Sequence, residues 1–240
     1  QIIQAIAHER RLDPLDVRRL NFYEHNDRNL TPYHMQVEDF VLDELVEQLE
    51  STSRYRERRQ SIKAFNSTNP YLRRGLALTP VKFGISFTNT TFNQAGALLH
   101  VYKDGSVLLN HGGTEMGQGL LIKVAQVVAA ELQIDIDQVQ ISSTHTGKVP
   151  NTSATAASSG TDLNGMAAQN AARTIRRRLT AFAATHHDVA ENEIEFQHGQ
   201  VRIADSWMTF SELVLEAYLH RVQLSATGFY RTPKIWWAAE

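Results

Sequence analysis

The sequence contains no cysteine, and this absence excludes several kinds of site. Without cysteine the chain forms no disulfide, no thiolate zinc site and no iron–sulfur cluster ligated by its own residues. No apolar run approaches the roughly 18 to 20 residues that a membrane-spanning helix needs. The opening residues QIIQAIAHERR also lack the charged start, long apolar stretch and cleavage site of a signal peptide. We therefore expect no membrane contact and a cytoplasmic location.

An excess of charge of either sign is also missing. The 240 residues carry 24 Lys and Arg against 26 Asp and Glu, a formal net charge of −2. This balance argues against a surface that binds nucleic acid. The run RYRERR from Arg54 to Arg59 is interrupted by Glu57 and follows two nearby glutamates, so a solvated helix face explains it better than a nucleic-acid interface. The chain begins without methionine, and we expect it to be a piece of a longer protein.

Apolar periodicity predicts helices in the first third of the chain. Residues 1–20 fit two short helices, the second with Asp13 as its N-cap and Pro14 in its first turn. Residues 21–33 are polar and are predicted to be a connector. A helical period then runs through residues 36–50 and continues as a charged helix to residue 65.

The rest of the sequence alternates between strand and helix patterns. Residues 76–87 (LALTPVKFGISF) have a strand-like alternation, and residues 97–110 (ALLHVYKDGSVLLN) predict a hairpin that turns at Asp104 and Gly105. A helix to residue 132, a strand at 133–143 and a helix at 161–185 follow. A strand pair around Gly199, a helix at 210–219 and a strand at 222–227 complete an α+β pattern, with mixed sheets flanked by helices.

Two polar loops lead into helices. The first, HGGTEMGQG at residues 111–119, has four glycines and precedes the helix that ends at residue 132. A helix N-terminus has unpaired amides and a positive dipole end, so it can bind a phosphate or another anion. The second loop, residues 151–165 (NTSATAASSGTDLNG), uses threonine, serine and alanine in place of glycine. Considered singly, each loop is also explained as a tight turn or an N-capping segment without a ligand.

Four strings together resemble the xanthine dehydrogenase family, in its molybdenum-binding large subunit. They are GTEMGQG, TAASSGTDLNG, KFGISF with NQAGALLHVYKDGSVL, and LSATGFYRTP. The resemblance extends over essentially the whole chain. Aldehyde oxidases and carbon monoxide dehydrogenases, sister enzymes among the molybdenum hydroxylases, are similar at the first loop but vary the TAAS and SATGFYRTP segments.

The resemblance implies particular binding residues. The first loop would contact the pterin and phosphate of the molybdenum–molybdopterin cofactor, and the second would pass beneath the metal and the pterin, with Ala157 nearest the molybdenum. The matching cofactor-binding positions are Met116, Gly117, Gln118, Thr155, Ala156, Ala157, Ser158 and Ser159. Phe87 and Thr88 match the positions that sandwich the purine substrate, although core packing alone would also explain a phenylalanine in a strand-like segment.

The resemblance also predicts an organisation. Residues 1–35 would be the end of one molybdopterin-binding domain with its connector, and residues 36–240 most of a second one, incomplete at its C-terminus. The complete enzyme would convert hypoxanthine to xanthine and xanthine to urate, passing electrons through 2Fe-2S clusters and FAD to NAD. Its partners would be the remainder of the large subunit, the Fe–S and FAD parts and further copies of the whole enzyme. The catalytic glutamate would lie outside this chain, so Glu115 is not assigned as the base and the chain alone is predicted to be inactive.

Three alternatives remain at this point. An aldehyde-oxidase-like enzyme would differ only in its substrate. A non-catalytic α+β module would use the two helix N-termini to bind a nucleotide or a simple anion. A structural remnant would be folded but would leave both loops without a ligand.

Overall fold

A computed structural model describes residues 1–31, 35–148 and 151–235. Pro32 and Tyr33 of the predicted connector, Val149 and Pro150 before the second loop, and Trp236–Glu240 lie outside these ranges. Apart from Trp236–Glu240, the chain divides into two compact units, Gln1–Gly84 and Ile85–Ile235. Among the described residues, no helix is long and apolar enough to cross a membrane.

The first unit is helical. Its helices are α1 (Ile2–Arg10), α2 (Pro14–Arg19), α3 (Leu42–Thr52) and α4 (Tyr55–Thr68). The two predicted short helices are confirmed, and Asp13 caps α2 by accepting a hydrogen bond from the Leu15 amide at 2.8 Å. The core of this unit consists of Leu15, Phe22, Val46, Tyr55 and Leu78.

Tyr55 and Arg59 join α4 to the cap of α2. The Tyr55 hydroxyl donates to Asp13 at 2.9 Å, and Arg59 Nε donates to the other Asp13 oxygen at 3.0 Å. Burial raises the pKa of Asp13, but the hydrogen bonds from Leu15, Tyr55 and Arg59 outweigh it and the net pKa lies below its usual value. Arg56 pairs with Glu50 and Asp16. Arg54, Arg56 and Arg59 of the basic run thus each pair with a carboxylate on this helix face, which agrees with the helix-face interpretation of the run.

Three predictions for the first 90 residues are wrong in detail. The helix of residues 36–50 begins only at Leu42, because Gln36 forms a β-bridge with Leu30 instead. The charged stretch is a separate helix, because Arg54 adopts a left-handed φ of 51° between α3 and α4. Residues 76–87 form no strand: no neighbouring strand pairs with them within the described chain, and their alternation reflects only the burial of Leu78 beside exposed neighbours.

The second unit contains both sheets. Its elements are β1 (Gln94–Val101), β2 (Val107–His111), α5 (Leu120–Leu132), β3 (Val139–Ile141), α6 (Gly160–His187), β4 (Ile194–Gln197), β5 (Gln200–Ile203), β6 (Ser206–Thr209), α7 (Phe210–Leu219) and β7 (Ser225–Arg231). The larger sheet has the order β3-β2-β1-β7, in which β1 is antiparallel to β2 and β7 while β2 is parallel to β3. The smaller sheet, β4-β5-β6, is antiparallel. The predicted α+β class with mixed sheets is confirmed.

Helix α6 is the centre of this unit's core. Its buried alanines, including Ala167 and Ala171, let strand β7 approach so closely that a Cβ added at Gly228 would lie 1.9 Å from the Ala167 carbonyl oxygen. The predicted hairpin, the helix at 210–219 and the strand pair around Gly199 are confirmed. The predicted strand at 133–143 shortens to β3, and the one at 222–227 shifts to β7. Strand β6 was not predicted, although it pairs with β5 directly across a tight turn.

Candidate functional site

The first loop is closed by its own acidic residue. The Glu115 carboxylate accepts hydrogen bonds from the amides of Gly117 at 2.8 Å, Gly119 at 2.9 Å and Leu121 at 3.1 Å. The positive φ angles of Gly117 and Gly119, 96° and 74°, turn these amides toward one point. The bonds from Leu121 and Gly119 hold the pKa of Glu115 below its usual value. The chain itself therefore supplies an anion at the N-terminus of α5.

Gln118 ties the middle of the same loop together. Its side-chain oxygen accepts from the Met116 amide at 2.6 Å, and its side-chain nitrogen donates to the Thr114 carbonyl at 2.9 Å. Lys123 donates to the Gln118 carbonyl at 2.9 Å. Of the three predicted cofactor contacts in this loop, the Met116 and Gly117 amides already have partners within the chain, whereas the Met116 side chain is 66% exposed.

The second loop is exposed just before α6 begins. Ala157 and Ser158 both adopt left-handed backbone conformations, with φ of 52° and 54°. Residues other than glycine rarely adopt these angles. The following Ser159 is buried, and its hydroxyl donates to the Ala156 carbonyl at 3.0 Å. Ala156, Ala157 and Ser158 are exposed. Two consecutive non-glycine residues with positive φ are a form of local strain that is often found at functional sites.

The two loops are in direct contact. The Thr114 amide donates to Thr155 Oγ1 at 2.8 Å. Leu120, at the start of α5, lies close to a glycine of each loop: a Cβ at Gly113 would lie 2.6 Å from its Cδ2, which is too close, and one at Gly160 would be in contact with both of its methyl groups at 3.4 Å. The structure thus brings the predicted cofactor residues of the two loops into one surface.

Two buried polar side chains lie next to the glycines of these loops. His111, at the end of β2, is 1% exposed and accepts a hydrogen bond from the Gly113 amide at 3.0 Å through Nδ1. Its Nε2 has no hydrogen-bond partner among the described residues, and burial lowers the pKa of His111 to about 4. Asn164, in the first turn of α6, donates to the Gly160 carbonyl at 2.8 Å, while its side-chain oxygen is buried and unpaired within the described chain.

Phe87 is held beside the second loop by an asparagine that the sequence analysis did not single out. Asn93 is 1% exposed; its side chain accepts from the Phe87 amide at 2.8 Å and donates to the Phe87 carbonyl at 2.9 Å. The preceding Ser86 amide donates to the Ala157 carbonyl at 3.3 Å. An Asn six residues after a phenylalanine carries no recognisable sequence signal, because its role arises from the turn between them.

A cavity of about 500 Å³ opens beside the Phe87 ring. Its other lining residues come from the turn after Phe87, the start of β1 and the beginning of the second loop: Thr91, Phe92, Gln94, Asn151, Thr152, Ser153 and Ala154. Phe92 packs edge-on against Phe87, with ring centroids 5.5 Å apart. Thr152 Oγ1 is buried and has no hydrogen-bond partner within residues 1–31, 35–148 and 151–235. Thr88, the second predicted substrate residue, is exposed. The cavity combines an aromatic face with one hydroxyl group that has no hydrogen-bond partner within the described chain, which suits a flat, polar ring.

Solved structures establish the class of fold. The structure of a Cu,Mo-CO dehydrogenase in its carbon monoxide reduced state matches 97% of this chain with a TM-score of 0.77 and 22% identity, and the match covers 32% of that protein. At this identity the match shows the fold alone, that of the cofactor-binding domains of molybdenum hydroxylases.

Sequence comparison then gives the family. The family described as "Molybdopterin cofactor-binding domain" matches residues 48–240, and the chain belongs to this family. Xanthine dehydrogenase of Blastobotrys adeninivorans is 43% identical over 97% of the chain, and xanthine dehydrogenase/oxidase of Felis catus is 45% identical over 94%. The resemblance to xanthine dehydrogenases is therefore confirmed. The chain spans 15% of the length of each of these relatives.

Proposed function

We propose that this chain forms the part of a xanthine dehydrogenase that holds the molybdopterin cofactor and one wall of the purine site. The observation that carries the proposal is the joining of the two loops through Thr114 and Thr155, next to the cavity lined by Phe87. An anion-binding module would need a free amide cluster at the N-terminus of α5. Because Glu115 already occupies that position, the anion-module hypothesis is the weaker one.

The residues present fit a cofactor rich in hydrogen-bonding atoms. The exposed residues Ala156, Ala157 and Ser158 would lie against the pterin and the metal, with Ala157 nearest the molybdenum, and Thr155 and Ser159 would hold the loop in place. Met116, Gly117 and Gln118 would contact the pterin and phosphate from the other loop. Met116 would do so through its exposed side chain and Gln118 by exchanging its internal hydrogen bonds for bonds to the cofactor. When bound, the cofactor supplies the oxidising centre for hydroxylation of a purine carbon.

The substrate role belongs to Phe87 and Thr88. The ring of Phe87 would stack on the purine, and the Thr88 hydroxyl would offer a hydrogen bond at its edge. Asn93 fixes the Phe87 backbone from both sides, so it is a positioning residue for the substrate wall. We assign no catalytic base to this chain, because the family resemblance implies a glutamate outside it. Glu115 is not assigned as the base, and its carboxylate accepts three backbone hydrogen bonds that lower its pKa.

The part of the proposal that concerns the whole protein rests on the family resemblance. It comprises hypoxanthine and xanthine as substrates, 2Fe-2S clusters, FAD and NAD as the route for electrons, the rest of the large subunit as partner, and a cytoplasmic homo-oligomer. The proposed domain correspondence, with residues 1–35 from one cofactor-binding domain and residues 36–240 from the next, also belongs here. An aldehyde-oxidase-like substrate preference is the second candidate.

A measurement of cofactor content tests the proposal. We expect the complete protein that contains this chain to carry molybdenum and to release a fluorescent oxidised pterin. Ala157→Leu would lower both contents several-fold by filling the space above the second loop, whereas Ala190→Leu, at an exposed position outside both loops, would change neither. Absence of molybdenum and pterin from the wild-type protein, with retained phosphate or nucleotide binding, would instead support the anion-binding module.

A further inference from the structure

A second cluster of metal-ligating side chains lies in the larger unit, outside the two loops and the Phe87 cavity. His186 and His187 are the last two residues of α6, and Glu216 lies in the last turns of α7. One ligand atom from each of the three side chains lies within 4.8 Å of the other two. Two imidazole nitrogens and one carboxylate oxygen are a donor set that suits zinc and related divalent transition metals.

One oxygen of the Glu216 carboxylate lacks a hydrogen-bond partner within the described chain, although the side chain as a whole is 37% exposed. Glu216 Oε2 is buried and accepts no hydrogen bond within the described chain. The atom facing it is His187 Nε2, at 3.6 Å, which is too far for a hydrogen bond. Leaving a carboxylate oxygen buried and unpaired is unfavourable, and a cation placed between these two atoms would remove that cost.

Neighbouring aromatic rings pack against His186. His186 stacks on Phe182, one helical turn earlier, with ring centroids 5.1 Å apart and an interplanar angle of 17°. The His220 ring lies 4.5 Å from the His186 ring, and its Nδ1 is 2.9 Å from the Glu216 backbone oxygen. These contacts restrict the His186 ring before any ion arrives, which reduces the entropy lost on binding.

We propose that His186, His187 and Glu216 form a binding site for a divalent transition metal of the zinc class, separate from the molybdopterin surface. In a tetrahedral zinc site, bond lengths of roughly 2.0–2.2 Å place the ligand atoms about 3.4 Å apart. His187 Nε2 and Glu216 Oε2 already lie close to that spacing, at 3.6 Å, and the three ligand atoms lie within 4.8 Å of one another. Solvent would complete the coordination, and the ion would link the C-terminal end of α6 to α7.

Titration of the full chain with Zn²⁺, followed by calorimetry, tests this site. We expect saturable binding that His187→Ala and Glu216→Gln each weaken by at least about tenfold, since each variant removes one of three ligands. His198→Ala is the matched control, because His198 is an exposed histidine in the β4–β5 turn, outside the cluster; its binding curve should equal that of the wild type. Equal affinity in all four proteins, or no saturable binding to the wild type, would overturn the proposal.

Thermal unfolding supplies a second, independent readout. A ligand that binds only the folded state raises the melting temperature of the protein, and the rise grows with the logarithm of the ligand concentration relative to Kd. At one Zn²⁺ concentration, the Tm of the wild type and of His198→Ala should therefore rise by the same amount, and that of Glu216→Gln should rise less. Glu216→Gln is a nearly isosteric change, and circular dichroism would check that the variant folds. An equal rise in all three proteins would place the zinc elsewhere and refute the assignment.

Discussion

At the scale of single residues, Glu115 explains why a glycine-rich loop before a helix need not bind a phosphate. Three amides converge where an anion would sit, and the chain fills that position with its own carboxylate. In the sequence alone, Glu115 stands out only as a possible base. A capping role for an acidic residue ahead of a helix is recognisable in principle, but the intervening glycines hide the spacing on which such recognition depends.

Glu115→Gln is expected to destabilise the second unit at neutral pH. The carboxyl has a lower pKa in the folded state than in the unfolded chain, because the folded loop hydrogen-bonds its ionised form. Its stabilising effect is thus fully present above the unfolded-state pKa and is lost as pH falls through the folded-state pKa. Melting curves of both proteins should show the largest Tm difference near neutral pH and a smaller one in acid. A difference that stays constant across this range would contradict the role assigned to the charge.

Burial of His111 makes the stability of the protein depend on pH in a second way. Its pKa is about 4 in the folded protein, against an ordinary value of 6.5, so the unfolded chain takes up a proton at a higher pH than the folded one. The resulting stability is complete above the ordinary pKa and is lost as pH falls toward 4. A pKa shift of this size lowers the free energy of unfolding by about 3 kcal/mol when the pH falls from above the ordinary pKa to below the folded-state pKa.

Urea unfolding at a series of pH values tests this expectation. His111→Gln retains an acceptor for the Gly113 amide but does not titrate, so its free energy of unfolding should depend less on pH between 6.5 and 4 than that of the wild type. His198→Gln, which changes an exposed histidine, should keep the wild-type slope. If His111→Gln and the wild type lose stability equally as the pH falls, then a group other than His111 causes the loss of stability in acid.

At the scale of elements, the packing of α6 on β7 depends on the absence of a side chain at one position. Gly228→Ala would place a methyl group 1.9 Å from the Ala167 carbonyl oxygen and 2.7 Å from the Ala171 nitrogen. Both are helix backbone atoms that cannot move aside singly, so we expect a loss of about 3 kcal/mol in the free energy of unfolding. Gly75→Ala is the control, because nothing lies within 4 Å of its added Cβ. Denaturant midpoints that shift equally for the two variants would refute the close approach.

Most elements of the second unit could be predicted from the sequence, because each carries a local signal. Asp104 and Gly105 mark the β1–β2 hairpin, and the apolar period of α5 and α6 matches their buried faces. The failures have non-local causes. The helical pattern at residue 36 yields to a bridge with Leu30, and residues 76–87 alternate without a strand to pair with.

The candidate site, too, could be predicted where its signals are local and could not be predicted where its contacts are non-local. Its loops were predicted because glycines, hydroxyl residues and helix starts are visible in the sequence, and the family resemblance named the individual residues. Asn93 and the link from Thr114 to Thr155 depend on contacts between segments, so no spacing rule could have found them. Whether the named residues touch the cofactor and the purine stays a prediction.

At the scale of the whole molecule, the chain spans 15% of its xanthine dehydrogenase relatives. The proposed purine wall therefore has to be tested in the complete enzyme. There, Phe87→Ala should lower kcat/KM for xanthine several-fold, because aromatic stacking contributes about 0.5–1.5 kcal/mol beyond the burial of area. Steady-state kinetics measure this directly, and molybdenum content, determined in parallel, separates loss of substrate contact from loss of cofactor.

The matched control for that experiment is Phe229→Ala, which removes another half-exposed phenylalanine, on β7 and not among the residues that line the Phe87 cavity. It should leave kcat/KM for xanthine at the wild-type value. If Phe87→Ala has wild-type purine kinetics with full molybdenum content, then Phe87 serves only to pack against Phe92, and the cavity does not hold the purine. If Phe87→Ala impairs purine and aldehyde substrates equally, the ring orders the second loop through the Ser86–Ala157 hydrogen bond and does not select a heterocycle.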